Sequence, residues 1–332
     1  MATGKKNSPR PLMRSTRYCP KTRDILGVAT SHLSLPAGRQ GWSLPTMSRV
    51  HDERIKELEE IAEKLRYEAV QMVINAGSGH VGGPLGMADV FTALYFEVLK
   101  HDPKNPDWEE RDRVILSNGH ICPIQYAAMA YAGYFPKSDL KKLRKFGSPL
   151  QGHPHRTMMP GIEASSGPLG SGLGQAVGMA LGLRLDKKAN EVVCLMGDGE
   201  QDEGVVWEAA MAAGKYKLDN LTMLIDRNNI QIDGMTEDVM PLEPIKEKYE
   251  SFGWHVLEIN GNNLREVIDA FDTAHAIYEK PVMIIAHNVP GKGVDFMEFS
   301  FPWHSKAFTP EEAKESLHQL RTLGGRIKGE HE

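Results

Sequence analysis

Apolar residues recur at steps of three and four along residues 48–76, between glutamates and lysines, as Leu58, Ile61 and Leu65 illustrate. This spacing predicts an amphipathic helix from Ser48 to Ala76, which ends at the glycine-rich residues 77–80. A second helical segment is predicted after Pro84, ending near the proline-rich loop 101–106. The first third of the chain is therefore predicted to be mainly helical.

Short apolar runs alternate with helical patterns through the rest of the chain, apart from the loop-rich residues 137–163. The apolar runs predict buried strands at residues 113–116, 191–196, 220–225, 254–260 and 281–287. Helices are predicted after Pro168 as far as Arg184, and at residues 203–216, 242–252, 264–277 and 310–323. Strands that alternate with helices indicate an α/β fold with a parallel β-sheet covered by helices on both faces.

Composition agrees with a globular α/β protein. The chain has 332 residues, of which 41% are hydrophobic and 25% charged, enough for one large domain or two small ones. No stretch approaches the roughly eighteen apolar residues that a membrane helix needs. The three cysteines are far apart, which argues against a zinc site or a disulfide framework and indicates a reducing compartment. Cytoplasmic localisation is the resulting prediction, without membrane association.

Charge is distributed unevenly along the chain. Residues 1–46 hold eight lysines and arginines against one acid, Asp24, whereas the net charge of the whole chain is -5. The basic segment fits a disordered tail, a mis-assigned start before Met47 or a targeting segment, and the first two are favoured. Residues 47–332 are predicted to form the functional domain. Because that domain is acidic and shows no basic cluster, nucleic-acid binding is not expected.

Polar residues follow two of the predicted strands. Asp198 lies between glycines after the apolar run 192–195, and Asn228 follows the run 221–225. At the mouths of neighbouring parallel strands, a carboxylate and an amide oxygen can hold a divalent metal beside a diphosphate. His120, after the first predicted strand, is expected at the same edge. Asp198 as a helix N-cap is the structural alternative.

Other phosphate-binding motifs are incomplete in this chain. The glycine-rich residues 170–177 fail the Gly-x-Gly-x-x-Gly pattern because Gln175 or Val177 fills its third glycine position. No Walker A loop is complete either. Dinucleotide binding and P-loop chemistry therefore lose their main support.

The span from Gly197-Asp198-Gly199 to Asn228 resembles the thiamine diphosphate signature, and its surroundings resemble the transketolase family. Seven segments carry the likeness in transketolase order between about Val50 and Ala307. They are residues 79–86, 117–120, 152–154, 166–172, 197–199 with 228, 203–209 and 230–234.

The resemblance implies a role for each matched residue. Asp198, Asn228 and the Ile230 carbonyl are implied to bind Mg2+ or Ca2+. The implied contacts to thiamine diphosphate are Gly167, Leu169, Gly199, Ile232, His80, His120 and His304. The implied catalytic residues are His80 and His153, which would face the sugar oxygens, His120 and His304, which would lie against the diphosphate, and Glu203. Glu203 is implied to join the carboxylates that connect two active sites.

The implied activity is thiamine-dependent transfer of a two-carbon ketol unit from a ketose phosphate to an aldose phosphate, as in the pentose phosphate pathway. The resemblance covers only the N-terminal part of a transketolase. It therefore predicts a separate C-terminal subunit carrying the pyrimidine-binding domain, an α2β2 heterotetramer, and no turnover by this chain alone. The alternatives are a transketolase for modified sugars, a subunit similar to deoxyxylulose-phosphate synthase or another thiamine enzyme, and a non-catalytic paralogue.

Overall fold

A parallel sheet of five strands runs through the computed structural model, which describes residues 49–330. The predictions for residues 1–46 lie outside the described residues. The strand order is β1-β2-β3-β7-β6, and every neighbouring pair is parallel. These strands are β1 (Arg113–Leu116), β2 (Val192–Gly197), β3 (Leu221–Arg227), β6 (His255–Asn260) and β7 (Val282–His287). A small antiparallel hairpin pairs β4 (Ile230–Gln231) with β5 (Gly234–Met235).

The sheet is buried on both faces, as the sequence predicts. Alternate residues of β2 point to opposite sides: Val193 and Leu195 join one hydrophobic core, whereas Val192 and Cys194 join another. Helices cover each core, so the strands are apolar along nearly their whole length.

Ten α-helices lie within the described residues. They are α1 (Asp52–Ala76), α2 (Gly82–Gly86), α3 (Ala88–Ala93), α4 (Cys122–Ala132), α5 (Ser171–Leu185), α6 (Gly204–Tyr216), α7 (Thr236–Val239), α8 (Ile245–Ser251), α9 (Leu264–His275) and α10 (Pro310–Glu330). A π-helical turn, Leu94–Val98, follows α3, and 3-10 turns form at Gly119–Ile121, Lys137–Lys142, Gly199–Asp202 and Phe301–His304. None of the helices in residues 49–330 is long and apolar enough to cross a membrane.

One helix prediction needs correction, and one longer helix was missed. The segment after Pro84 is not one helix, because it is divided into α2, α3 and the π-helical turn, and Pro84 itself lies inside α2. Helix α4 was not predicted. Its residues 122–130 are all buried, so they show no polar face from which a helical period could be read.

Chain topology brings the ends of β1, β2 and β3 to one edge of the sheet. These strands are consecutive neighbours, and the chain then passes beyond β7 to form β6 before returning to β7 beside β3. Open α/β sheets bind ligands at the carboxyl edge near such a change of direction. The loops that follow β1, β2 and β3 meet there.

Candidate active site

Asp198 is held immediately after β2 and is 2% exposed. Its carboxylate accepts hydrogen bonds from the Gly199 amide at 2.8 Å and the Asn229 amide at 2.6 Å, and Arg227 Nη1 lies 3.3 Å away. Asn229 adopts φ 63°, the left-handed region that asparagine tolerates, to point its amide at this carboxylate. Asp198 does cap the 3-10 turn that follows it, through Gly199, but it also faces the neighbouring strand end.

The end of β3 supplies a second carboxylate, Asp226. It accepts hydrogen bonds from Asn228 Nδ2 at 2.8 Å and Asn288 Nδ2 at 2.7 Å. Burial, followed by the charge of Asp198, raises the pKa of Asp226 to about 7. Burial likewise raises the pKa of Asp198 to about 6, although its hydrogen bonds and Arg227 oppose the shift. Both carboxyl groups thus lie where burial penalises their charged form.

Four histidines from distant parts of the chain converge beside these carboxylates. The His80 ring centroid lies 4.8 Å from that of His120, 5.2 Å from His304 and 6.5 Å from His153. His80 follows α1, while His120 and His304 lie in 3-10 turns and His153 in a loop. Each ring is therefore presented by a loop or a turn at the edge of the sheet.

The histidine cluster is electrically neutral near pH 7. Burial, with the charges of His304, His153 and Arg144, lowers the pKa of His80 to about 4. Burial also places the pKa of His120 well below its ordinary value and lowers those of His153 and His304. Neutral imidazoles can both donate and accept hydrogen bonds, as a ligand rich in hydroxyl and carbonyl groups requires.

These groups line a cavity of about 370 Å³. Eleven of the twelve predicted site residues border it: His80, His120, His153, Gly167, Leu169, Asp198, Gly199, Asn228, Ile230, Ile232 and His304. Glu203, the twelfth, is exposed at the N-terminus of α6 and does not border this cavity. Its expected role concerns a second active site and stays a prediction.

Several lining residues were not among the predicted site residues. They are Asn118, Gly197, Glu200, Asp226, Gln231 and Asp233. Most stand within one or two positions of a predicted residue, so their place in the quoted motifs was the available signal. Asp226 also contacts Asn288, which lies 62 positions further along the chain. A contact at that distance in the sequence cannot be predicted from the residues that end a strand.

The cavity has the chemistry that a metal-bound diphosphate needs. Asp198 offers carboxylate oxygens and Asn228 offers its amide oxygen, Oδ1, and hard divalent cations favour oxygen atoms of both kinds. The Asn228 Oδ1 atom also accepts a hydrogen bond from the Ile230 amide at 3.0 Å. His80 Nδ1 and Asn118 Oδ1 are buried and have no hydrogen-bond partner within residues 49–330. Because unpaired buried polar atoms are costly, a polar ligand in this cavity is favoured. The described residues contain no cluster of three or more His, Cys, Asp or Glu side chains suited to holding a metal alone. A cation here would therefore need further oxygen atoms from its ligand.

Comparison with known proteins identifies the domain. Residues 58–322 match the thiamine diphosphate-binding domain of transketolase. The chain is 42% identical to the 6-deoxy-6-sulfo-D-fructose transketolase subunit SqwG of Clostridium sp. strain MSTE9, over 81% of this chain and 98% of that protein. It is 41% identical to one subunit of the apulose-4-phosphate transketolase of Phocaeicola vulgatus, over 80% of this chain and 95% of that protein.

Solved structures give the same result for the fold. The transketolase of Campylobacter jejuni aligns with a TM-score of 0.75 and 36% identity, over 80% of this chain and 43% of that one. The Pichia stipitis transketolase in complex with sedoheptulose 7-phosphate aligns with a TM-score of 0.75 and 32% identity, over 80% and 40% of the two chains. The present chain thus spans about two fifths of those solved chains.

Proposed function

The chain belongs to the transketolase family of transferases, and from that premise we propose that it holds the diphosphate half of thiamine diphosphate in a two-chain transketolase. The observation that carries the proposal is the single cavity in which Asp198 and Asn228 meet four neutral histidines. The carboxylate and amide oxygens of this cavity suit a metal diphosphate, and its neutral histidines suit a polyhydroxylated substrate.

Asp198 and Asn228 would fix the cofactor. Asp198, Asn228 and the Ile230 carbonyl would hold Mg2+, with Ca2+ as the alternative, while the diphosphate completes the coordination shell. Gly199, Gly167 and the backbone of Leu169 would contact the diphosphate. A divalent cation would stabilise the charged form of Asp198, which burial disfavours.

The four histidines would contact the substrate and the diphosphate. Bound thiamine diphosphate supplies an electron sink that allows a carbon–carbon bond next to a ketose carbonyl to break. His80 and His153 would donate to and accept from the sugar oxygens, and His120 and His304 would lie nearer the diphosphate. Because the rings are neutral, each can donate a hydrogen bond through one ring nitrogen, while the other nitrogen can accept a hydrogen bond or a proton from a sugar hydroxyl.

A second chain is needed to complete this site. Relatives that this chain matches over nearly their full length are named as transketolase subunits. Leu169 and Ile232 border the cavity yet expose 39% and 64% of their surface. We propose that a C-terminal subunit with the pyrimidine-binding domain covers this rim and that two copies of each chain assemble.

For the substrate we propose a modified ketose that carries a phosphate or sulfonate group, rather than a ketose phosphate of the pentose phosphate pathway. The support is that two relatives similar over almost their full length are named for 6-deoxy-6-sulfo-D-fructose and for apulose 4-phosphate. The pentose phosphate pathway reaction is the second candidate, since the chain also resembles transketolases of 35% identity that are named without a modified sugar.

A donor screen with the reconstituted pair of chains tests this proposal. Apulose 4-phosphate, 6-deoxy-6-sulfo-D-fructose and xylulose 5-phosphate would each be supplied with thiamine diphosphate, Mg2+ and an aldose phosphate acceptor. We expect a modified ketose to give the highest kcat/KM. A preference for xylulose 5-phosphate would return the assignment to the pentose phosphate reaction, and failure of all three donors would contradict the substrate class.

A further inference from the structure

Glu200 is a buried carboxylate that belongs to none of the expected metal, cofactor or substrate contacts. It follows Asp198 by two positions and is 2% exposed. The Ser117 hydroxyl donates to Oε1 at 2.5 Å, the Gly170 amide donates to the same oxygen at 2.6 Å, and the Gly197 amide donates to Oε2 at 3.1 Å. One side chain therefore contacts three separate segments.

These three segments are the ones that carry the expected cofactor contacts. Ser117 begins the loop after β1 that presents His120, and Gly197 ends β2 immediately before Asp198. Gly170 directly follows Leu169 and precedes α5. A shift of any of the three segments would move a group that faces the diphosphate.

The connection extends into α5 through Ser117. While its hydroxyl donates to Glu200, the hydroxyl oxygen accepts a hydrogen bond from the Gly172 amide at 3.1 Å. A Cβ atom at position 172 would lie 2.3 Å from Ser117 Cβ, so only glycine allows the helix to approach this closely. The N-terminus of α5 is thus fixed against the loop after β1, and its amides at 170 and 172 are already satisfied.

We propose that Glu200 is a positioning residue that sets the affinity for thiamine diphosphate by keeping these three segments in fixed positions relative to one another. All three donors are neutral dipoles, so the carboxylate acts as a shared acceptor and forms no ion pair with them. A buried network of this kind stabilises one geometry when every member is satisfied. The inference rests on the cofactor part of the proposed function and is independent of the sugar.

Glu200→Gln tests the inference with almost no change of volume. A glutamine can still accept hydrogen bonds at its one carbonyl oxygen. Its NH2 group, however, is a donor and would face the Gly197 N–H, which is also a donor, so the hydrogen bond from Gly197 would be lost. We expect the Kd for thiamine diphosphate, measured by calorimetry on the full chain at fixed Mg2+, to rise about 10- to 100-fold. In the reconstituted enzyme, the KM for the cofactor should rise while kcat at saturating cofactor changes much less.

A spectroscopic readout separates positioning from general stability. The Gly170 amide proton should be shifted downfield in the wild-type protein by its short bond to a carboxylate and should move upfield in Glu200→Gln. Thr92→Val is the matched control, because Thr92 is buried and donates to the Ala88 carbonyl of its own helix at 2.8 Å. The control should leave the Kd within about twofold of wild type.

Ser117→Ala decides the question if Glu200→Gln does not fold. It removes one donor to Glu200 and the acceptor for Gly172, and a loss of about 2- to 10-fold in affinity is expected. The inference is overturned if Glu200→Gln, or Ser117→Ala in its place, binds the cofactor as tightly as Thr92→Val does. Failure of the wild-type chain to bind thiamine diphosphate would instead refute the proposed function itself.

Discussion

At the scale of single residues, the site combines buried acids whose pKa is raised with buried histidines whose pKa is lowered. The pKa values of Asp198 and Asp226 shift upward to about 6 and about 7, and that of His80 shifts downward to about 4. Burial is the largest cause in each case, since it penalises whichever form carries charge. A cation bound with its diphosphate would stabilise the charged form of the two acids. The neutral histidines can form hydrogen bonds with sugar hydroxyls.

Asp198→Asn separates cofactor binding from folding. The substitution removes a charged oxygen ligand, so we expect thiamine diphosphate binding in the presence of Mg2+ to weaken by about 100-fold or more. The melting temperature without cofactor should fall by only about 4 °C or less, because an amide is less costly to bury than this carboxylate, although it would lose the hydrogen bond from Gly199 or from Asn229. Calorimetric titration and a thermal scan measure the two effects.

The control for this substitution is Asp202→Asn, which changes an exposed carboxylate four positions away. It should bind the cofactor like wild type. Equal weakening by both substitutions would show that Asp198 acts only through the general charge of the loop.

The histidine pKa values predict a direction for the pH dependence. Between about 6.5 and about 4, an unfolded histidine binds protons that folded His80 does not. His80, His120, His153 and His304 therefore contribute a loss of stability as the pH falls through this window. The raised pKa values of Asp198 and Asp226 act in the opposite sense, because the folded protein gains protons there first.

Because these contributions oppose each other, the histidines need a direct measurement. Ring-proton NMR of the cofactor-free chain, with signals assigned by single His→Asn variants, should show midpoints below 6.5 for all four rings and near 4 for His80. A midpoint at or above 6.5 for His80 or His120 would contradict the neutral cluster.

At the scale of elements, the sequence predicts those parts whose polarity follows a simple period. All five main strands and α1, α5, α6 and α9 are predicted to within a few residues: the strands from apolar runs, α5 from the small residues that follow Pro168, and the other helices from amphipathic stripes. Helix α4 escapes prediction since its residues 122–130 are buried all round. The loops that carry the histidines were located by their sequence motifs. The contacts of Glu200 with Gly170 and Ser117 could not be located in this way, because these residues lie 30 and 83 positions away.

Asp89, in α3, forms polar contacts with three other segments of the chain. It pairs with Arg66 of α1, accepts a hydrogen bond from Asn262 at 3.0 Å and lies 3.7 Å from Lys292 Nζ. Asp89→Asn leaves a buried guanidinium without its counter-charge, so the free energy of unfolding should fall by about 3–5 kcal/mol. Urea denaturation measures this loss.

Glu60→Gln provides the comparison, because Glu60 forms an exposed pair with Lys64 along α1. Its effect should stay within about 0.5 kcal/mol. Similar losses for the two substitutions would mean that the Asp89 network contributes no more than a surface pair.

At the scale of the whole molecule, the exposed apolar rim of the cavity predicts assembly. Leu169 and Ile232 are large hydrophobic side chains that border the cavity and remain in contact with solvent. Mixing the chain with its C-terminal partner should give a complex containing two copies of each, measurable by light scattering coupled to size-exclusion chromatography.

Ile232→Glu should weaken this assembly. Tyr278→Glu should not, because Tyr278 is 81% accessible and does not line the cavity. A one-to-one complex, or equal effects of the two substitutions, would contradict this arrangement.

An omission assay tests the central claim, that this chain supplies the diphosphate-binding half of a thiamine-dependent transketolase. Two-carbon transfer from the preferred ketose would be followed with both chains, thiamine diphosphate and Mg2+, and then with each component left out in turn. We predict transfer only in the complete mixture, and its loss on removing either chain, the cofactor or the metal by chelation. Transfer by this chain alone, or undiminished transfer without thiamine diphosphate or metal, would contradict the account.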